Sequence, residues 1–224
     1  MAIKPILFNT EMVRAILDGR KTCTRRVAKN VPCHTHRIEP VYENGRFQFD
    51  CFYSSYVVAL DAYADFCMPC LPPYQQGDIL YVRETWGTYS KNWWEADYFM
   101  YCADYPNGAT TYTYSDGIVC DLPKWHPSIH MPKEAARIWL KVTGVRVERL
   151  QEITEEGAKA EGVNWKNGKN VGWEEKMRHT AIERFAEIWD STIKKSDIGR
   201  YGWDANPWVW VIEFERYEPM ETPE

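Results

Sequence analysis

The densest chemistry in this 224-residue chain lies in Gly19-Arg20-Lys21-Thr22-Cys23-Thr24-Arg25-Arg26, where hydroxyls and cations mix without a carboxylate. Arg20, Lys21, Arg25, Arg26 and Lys29 crowd into one short stretch. Such a run either holds phosphates or is a solvated basic turn. A threonine hydroxyl attacks a carbonyl only when a neighbour removes its proton, and a lysine crowded by like charges and burial is a group able to do so. Lys21, at a loop edge three residues before Thr24, is therefore the candidate base and Thr24 the candidate nucleophile. Arg26 or a backbone N–H would face the oxyanion, and Arg25 adds a further cation for substrate.

The elements that must position these groups follow from hydrophobic periodicity. Ile3 to Phe8 reads as a short buried strand, and Thr10 as the N-cap of a helix with Met12, Val13, Ile16 and Leu17 on one face. Gly19 stops that helix. Two β-rich runs from Arg37 to Phe52 flank Asn44-Gly45, a hairpin signal. In Tyr53 to Tyr74, Pro69, Pro72 and Pro73 predict an irregular second half. Gly77-Asp78 turns into a central strand, Ile79 to Trp86; strands and turns follow over residues 87–124. Arg137 to Leu150 is a long strand and Thr154 starts a helix. A second helix spans about Trp173 to Lys194, with Ile182, Phe185, Ile188 and Trp189 together, and Pro207 to Tyr217 closes the chain as an interior strand. Many strands, few helices and no regular βαβ alternation predict an α+β domain built around a small β-barrel.

Other candidates are scattered. Arg83 and Glu84 alternate on a strand and either pair or line a cleft. Ser128 and His130 sit in Pro127-Ser128-Ile129-His130-Met131-Pro132, a loop fixed by prolines that suits substrate contact or a structural hydrogen bond. Cys67-Met68-Pro69-Cys70 has zinc-knuckle spacing, with Cys33, His34, His36 and Cys51 as completing ligands, but one CxxC without a second standard pair predicts no metal. Trp86, Trp93, Trp94 and Trp125 are read as core before base-stacking platforms.

Composition narrows the partners. Hydrophobic residues make up 45% and charged residues 26%, an ordinary globular mix that excludes a collagenous or disordered chain. The net charge of −5 argues against a broad phosphate-tracking face and favours a small substrate over long RNA. No stretch reaches the roughly 20 apolar residues of a membrane span, so no membrane partner is expected. Met1 to Thr10 lacks the layout of a secretory signal, and seven cysteines without a dense framework predict reduced thiols. The expected location is cytoplasmic.

Gly19-x-Lys21-x-x-Thr24-x-Arg26, then Gly77-Asp78, then Thr154 to Gly162, then Val209 to Phe214 occur in one order over nearly the whole chain. This ordered set resembles the ASCH family. Val82-Arg83-Glu84-Thr85-Trp86 and Pro127 to Pro132 resemble the larger ASCH proteins of phages and prophages. The resemblance implies a β-barrel similar to PUA domains, which handle RNA or modified nucleosides beside the barrel. It makes the chain a single domain, 1–224, with insertions at about 30–76 and 87–130 that have no counterpart in the compact bacterial branch. In that branch the activity is amide hydrolysis of N4-acetylcytidine by Lys, Thr and Glu, which map onto Lys21, Thr24 and Glu161, with Arg26 also matching. Glu161 would either relay a proton to the departing amine or activate a water. No cofactor is implied, and the expected partner is a modified nucleoside or RNA. A PUA-like RNA-binding module and a ribonuclease are the alternative readings.

Overall fold

Asn9, not Thr10, opens the first helix: its Oδ1 accepts from the Met12 backbone N–H at 2.9 Å, leaving Thr10 as the first helical residue. Asn sits in extended backbone there and supplies the acceptor that Thr10, already helical, cannot. In the computed structural model, residues 1–31, 35–43, 46–57, 62–89, 98–113, 119–163 and 180–218 are described.

Contacts divide the chain into two compact units, one of residues 21–78 and 142–215 with Met1, the other of residues 2–20, 79–141 and 216–224. One five-stranded sheet has the order β1-β6-β11-β12-β2, with β1 at Ile3–Leu7, β2 at Cys23–Val27, β6 at Ile79–Arg83, β11 at Trp139–Arg149 and β12 at Trp208–Tyr217. The architecture is mixed α+β and mostly strand. The expected barrel is not closed: β1 and β2 are the two ends of the order, and no ladder among the described residues joins them. Residues 35–70 form a separate sheet of β3 (Thr35–Glu43), β4 (Arg46–Val57) and β5 (Ala62–Cys70), while β7 (Trp86–Tyr89) with β8 (Tyr98–Tyr101), and β9 (Thr111–Thr113) with β10 (Val119–Asp121), are two-stranded pairs.

In the second unit β1 runs parallel to β6, Ile3 opposite Ile79, and β6 is antiparallel to the first residues of β11. Helix α1 (Thr10–Leu17) buries Val13, Ala15 and Ile16, and Gly19 at φ +72° ends it as the sequence predicts. The expected strand to Trp86 breaks after Arg83. Here the Glu84 carboxylate is buried in a fork with Arg137, at 3.0 Å from both Nε and Nη2, while Arg83 turns to the Met131 carbonyl at 2.8 Å. Glu84 is thus half of a buried pair, but not with Arg83. Burial raises its pKa against the lowering influence of Arg137.

In the first unit β12 lies between β11 and β2, and four consecutive buried residues, Val209 to Ile212, show that both its faces are covered. Val209 and Val211 pack with Leu150, Ile153, Ala158, Ala181, Phe185 and Trp189 from α2 (Glu155–Ala160), α3 (Ala181–Thr192) and their approaches. The Thr154 hydroxyl caps α2 through Gly157 N at 3.0 Å, and Thr180 with Glu183 forms a capping box on α3. Glu155 of α2 also accepts from Ala181 N at 3.0 Å, tying the two helix starts together. The expected start of α3 near Trp173, and the expected turn residues Asn44-Gly45, lie outside the described residues; β3 and β4 pair antiparallel on either side of residues 44–45, Glu43 opposite Arg46. Residues 62–70 are regular rather than irregular: β5 is an edge strand, the position in a sheet where proline is tolerated. Asn206 is the one described non-glycine residue at positive φ, +44°. Among the described residues no helix is long and apolar enough to cross a membrane.

The packing of Phe185, 5% exposed in this cluster, sets an expectation for stability. Phe185→Ala should lower unfolding free energy by about 3–5 kcal/mol, read from urea denaturation followed by circular dichroism. A loss below about 1 kcal/mol would mean that the helices do not carry the core of this unit.

Candidate functional site

Lys21 lies between α1 and β2, where its backbone forms an antiparallel bridge with Glu161 and Thr22 N donates to Ala160 O at 2.8 Å. Glu161 is the C-cap of α2, and Gly162 at φ +84° follows it, a conformation that glycine adopts without steric cost. The Glu161-Gly162 word therefore ends a helix against the strand carrying the cations. Lys21 is buried, contrary to its expected place at a loop edge. Its Nζ donates to the Glu161 carboxylate at 2.6 Å and to the Glu161 carbonyl at 2.9 Å. The second bond satisfies a helix-end carbonyl that would otherwise lack a donor.

Arg25 reaches the other carboxylate oxygen of Glu161 at 3.2 Å, and holds Glu148 Oε1 through Nε at 2.9 Å and Nη2 at 2.7 Å. Side-chain exposures are 0% for Lys21, 1% for Arg25 and 4% for Glu161, rising to 14% for Glu148. Glu148 Oε2 then accepts from Arg146 Nε at 3.1 Å, and Arg146 pairs with Glu213. The charges thus alternate in sign from the buried Lys21 to the exposed Glu213. Burial alone would lower the Arg25 pKa, yet the Glu161 and Glu148 carboxylates outweigh it and the net shift is upward. Gly157 makes room for this arrangement: a Cβ there would stand 3.2 Å from Arg25 Nη2. The Cys23 thiol is pushed up to about 11, first by burial and then by the Glu161 carboxylate, so it is held protonated and is no nucleophile at neutral pH.

The structure joins Lys21, Arg25 and Glu161, but the pleat of β2 separates the rest. Cys23 and Arg25 share one face; Thr24 and Arg26 share the other, opposite Ile212 and Trp210 of β12. Among the described residues the Thr24 hydroxyl hydrogen-bonds neither Lys21 nor Glu161. Burial lowers the Arg26 pKa despite Tyr74 and Glu161. Glu84, Ser128 and His130 belong to the second unit; Ser128 and His130 lie on a single 3₁₀ turn, with His130 exposed. Sequence reading missed Glu148 and Arg137. A signal existed for Glu148: Arg146 and Glu148, two apart on β11, place opposite charges on one strand face. Nothing in the sequence marks Arg137 as the partner of Glu84.

Cys67 and Cys70 are three residues apart on the extended β5, which sends their side chains to opposite faces; Cys67 is exposed and Cys70 is buried, donating to Asn30 O at 3.2 Å. That geometry does not chelate. Among the described residues no group of three potential ligands is placed to hold a metal ion, and Cys33 and His34 lie outside them. Comparison with protein-family models, curated proteins and solved structures returned no match.

Chemically, the assembly offers one carboxylate able to accept a proton, flanked by two cations able to stabilise negative charge beside it. Its electrostatics make two predictions. Glu161→Gln should cost about 3–5 kcal/mol of stability, because it strands a buried positive charge, whereas Lys21→Met combined with Glu161→Gln should recover most of that loss. Equal losses in the single and double variants, by thermal or urea unfolding, would deny the charge balance. Cys23 has a folded pKa raised from about 9 to about 11. Its contribution is therefore full below about pH 9 and is lost as pH rises towards 11. The stability difference between wild type and Cys23→Ala should decline across that window; a pH-independent difference would contradict the assignment.

Proposed function

We propose that the chain is an ASCH-type amidohydrolase acting on an N4-acylated cytidine-like substrate. The observation that carries the reading is the bond between Lys21 Nζ and the Glu161 carboxylate at 2.6 Å, which unites two groups 140 residues apart in sequence. The ordered motifs Gly19 to Arg26, Gly77-Asp78, Thr154 to Gly162 and Val209 to Phe214 support it. The proposed fold is a divergent PUA-like one, in which the open five-stranded sheet stands where related domains close a barrel.

Glu161 is assigned the proton transfers: it accepts a proton from the attacking water and returns it to the departing amine. Lys21 and Arg25 are donors. They orient the carboxylate from both sides and stabilise the negative charge that collects on the acyl oxygen. The overall change consumes one water, breaks the amide C–N bond, and yields a carboxylic acid and cytidine. This reading gives Lys21 a charged role in place of the neutral base that the sequence alone suggests, because its Nζ donates both of the bonds described. Thr24 and Arg26, on the opposite face of β2, take no part in these steps.

The test is to incubate the full chain with a series of N4-acylcytidines and with labelled single-stranded RNA, following both by chromatography. Release of cytidine and the free acid is the expected result. Lys21→Ala and Glu161→Gln should each lower kcat/KM at least a hundredfold in the folded fraction, while Lys21→Arg, which keeps the charge, should retain measurable turnover. Complete loss in Lys21→Arg with an intact fold would restore the neutral-lysine base. Cleavage of the RNA, or retention of RNA without deacylation, would replace the proposal by the ribonuclease or the RNA-binding reading.

A further inference from the structure

A second concentration of positive charge lies in the first unit, at the end of β2 remote in sequence from Lys21. A cleft of about 110 Å³ is lined by Lys29, Arg149, Arg200, Tyr201 and Trp208 among others, and none of its lining residues is acidic. The cations are arranged on aromatic rings rather than on carboxylates. The Arg149 guanidinium stands 4.3 Å from the centre of the Trp208 ring, and Arg200 and Lys29 lie 5.1 Å and 5.9 Å from that of Tyr201. Among the described residues Lys29, Arg149 and Arg200 have no side-chain ion pair. This distinguishes them from Lys21, Arg25 and Arg146, whose charges are each matched. A ring face holds a cation in place without neutralising it, so the charge remains available to an anion.

Two further features mark the place as built. Asn206 holds φ +44° although it precedes Pro207, a position where extended backbone is strongly preferred. Its strained backbone is pinned on three sides: its carbonyl accepts from Arg149 Nη1 at 3.1 Å, its Oδ1 from Gln151 N at 2.9 Å, and its N–H donates to Trp203 O at 3.0 Å. The result fixes one guanidinium at the rim of the cleft. Backbone strain maintained in this way is characteristic of ligand sites. Trp208 Nε1 is buried and has no hydrogen-bond acceptor among the described residues, which leaves a donor unsatisfied at a residue that lines the cleft.

We propose that this cleft is a phosphate-binding site, taking the phosphate of a nucleotide, either as a free monophosphate or within a single-stranded RNA backbone. Three cations with no side-chain ion pair among the described residues supply the charge, and the Trp208 and Tyr201 rings hold them in place beside a cleft lined by no acidic residue. The volume suits a phosphate group with part of its sugar and not a long polynucleotide track, in keeping with the net charge of −5. The site does not rest on the amidohydrolase reading and stands or falls separately from it.

The experiment is isothermal titration of the full chain at low salt with uridine, uridine 5′-monophosphate and a ten-residue oligouridylate lacking a terminal phosphate. Lys29→Gln combined with Arg200→Gln is the variant, since both side chains are exposed and their removal leaves the core intact. Binding of the monophosphate or the oligouridylate, weakened at least tenfold in the variant and absent for uridine, is the expected result. Monophosphate binding as tight as that of the oligouridylate assigns a free nucleotide; binding of the oligouridylate alone assigns the RNA backbone. Unchanged affinity in the double variant, equal binding of uridine, or no binding of either phosphate-bearing probe overturns the proposal.

Discussion

One buried carboxylate holds the candidate site together. Glu161 accepts from Lys21 on one oxygen and Arg25 on the other, and all three side chains are almost completely removed from water. A lone charge in that position would be expelled or neutralised, because desolvation of an ion costs several kcal/mol even after the surroundings relax. The protein meets this constraint by alternating charge: Glu148 balances Arg25, Arg146 bridges outward from Glu148, and Glu213 ends the series where solvent reaches. Each internal member therefore faces opposite charges on both sides.

Much of the local backbone serves that arrangement. Gly157 lacks the side chain that would crowd the Arg25 guanidinium, and Gly162 lets the chain leave α2 immediately after Glu161. Thr154 fixes the start of the same short helix, so that its C-terminal carbonyl meets the Lys21 ammonium. Phe185 of α3 lies 5.9 Å below the Arg25 guanidinium and closes the apolar side. The Cys23 thiol, between the two cationic residues in sequence, is kept protonated by the same burial and the same carboxylate. What resembles a reactive cysteine in a basic loop is a packing group.

Strand β2 thus carries two different treatments of positive charge. At its start the cations are buried and matched by carboxylates; just beyond its end Lys29 joins Arg149 and Arg200 over aromatic rings without acids. Matched charges can position a proton, whereas unmatched ones attract an external anion. A nucleoside amide and a nucleotide phosphate call for these two capacities respectively, which is why the two proposals are chemically related and can still be tested apart.

The sequence by itself determined the local features of the chain. The periodicity of Met12, Val13, Ile16 and Leu17 gave α1, Gly19 its end, Asn44-Gly45 the β3–β4 pairing, and the run from Val209 to Ile212 an interior strand, since these follow from steric and apolar patterns within a few residues. It also marked Lys21, Thr24 and Arg25 as a chemical cluster. Only the tertiary structure decided which of them act together. The pleat of β2 puts Arg25 with Glu161 and turns Thr24 and Arg26 towards Ile212 and Trp210; pairing with Glu148, 123 residues from Arg25, has no local signature. The open sheet and the ordered edge strand carrying Pro69 depend likewise on which strands become neighbours. Short-range sterics act along the chain and are written in its order; charge matching and strand neighbourhood act through space, where residues far apart in sequence become the nearest partners.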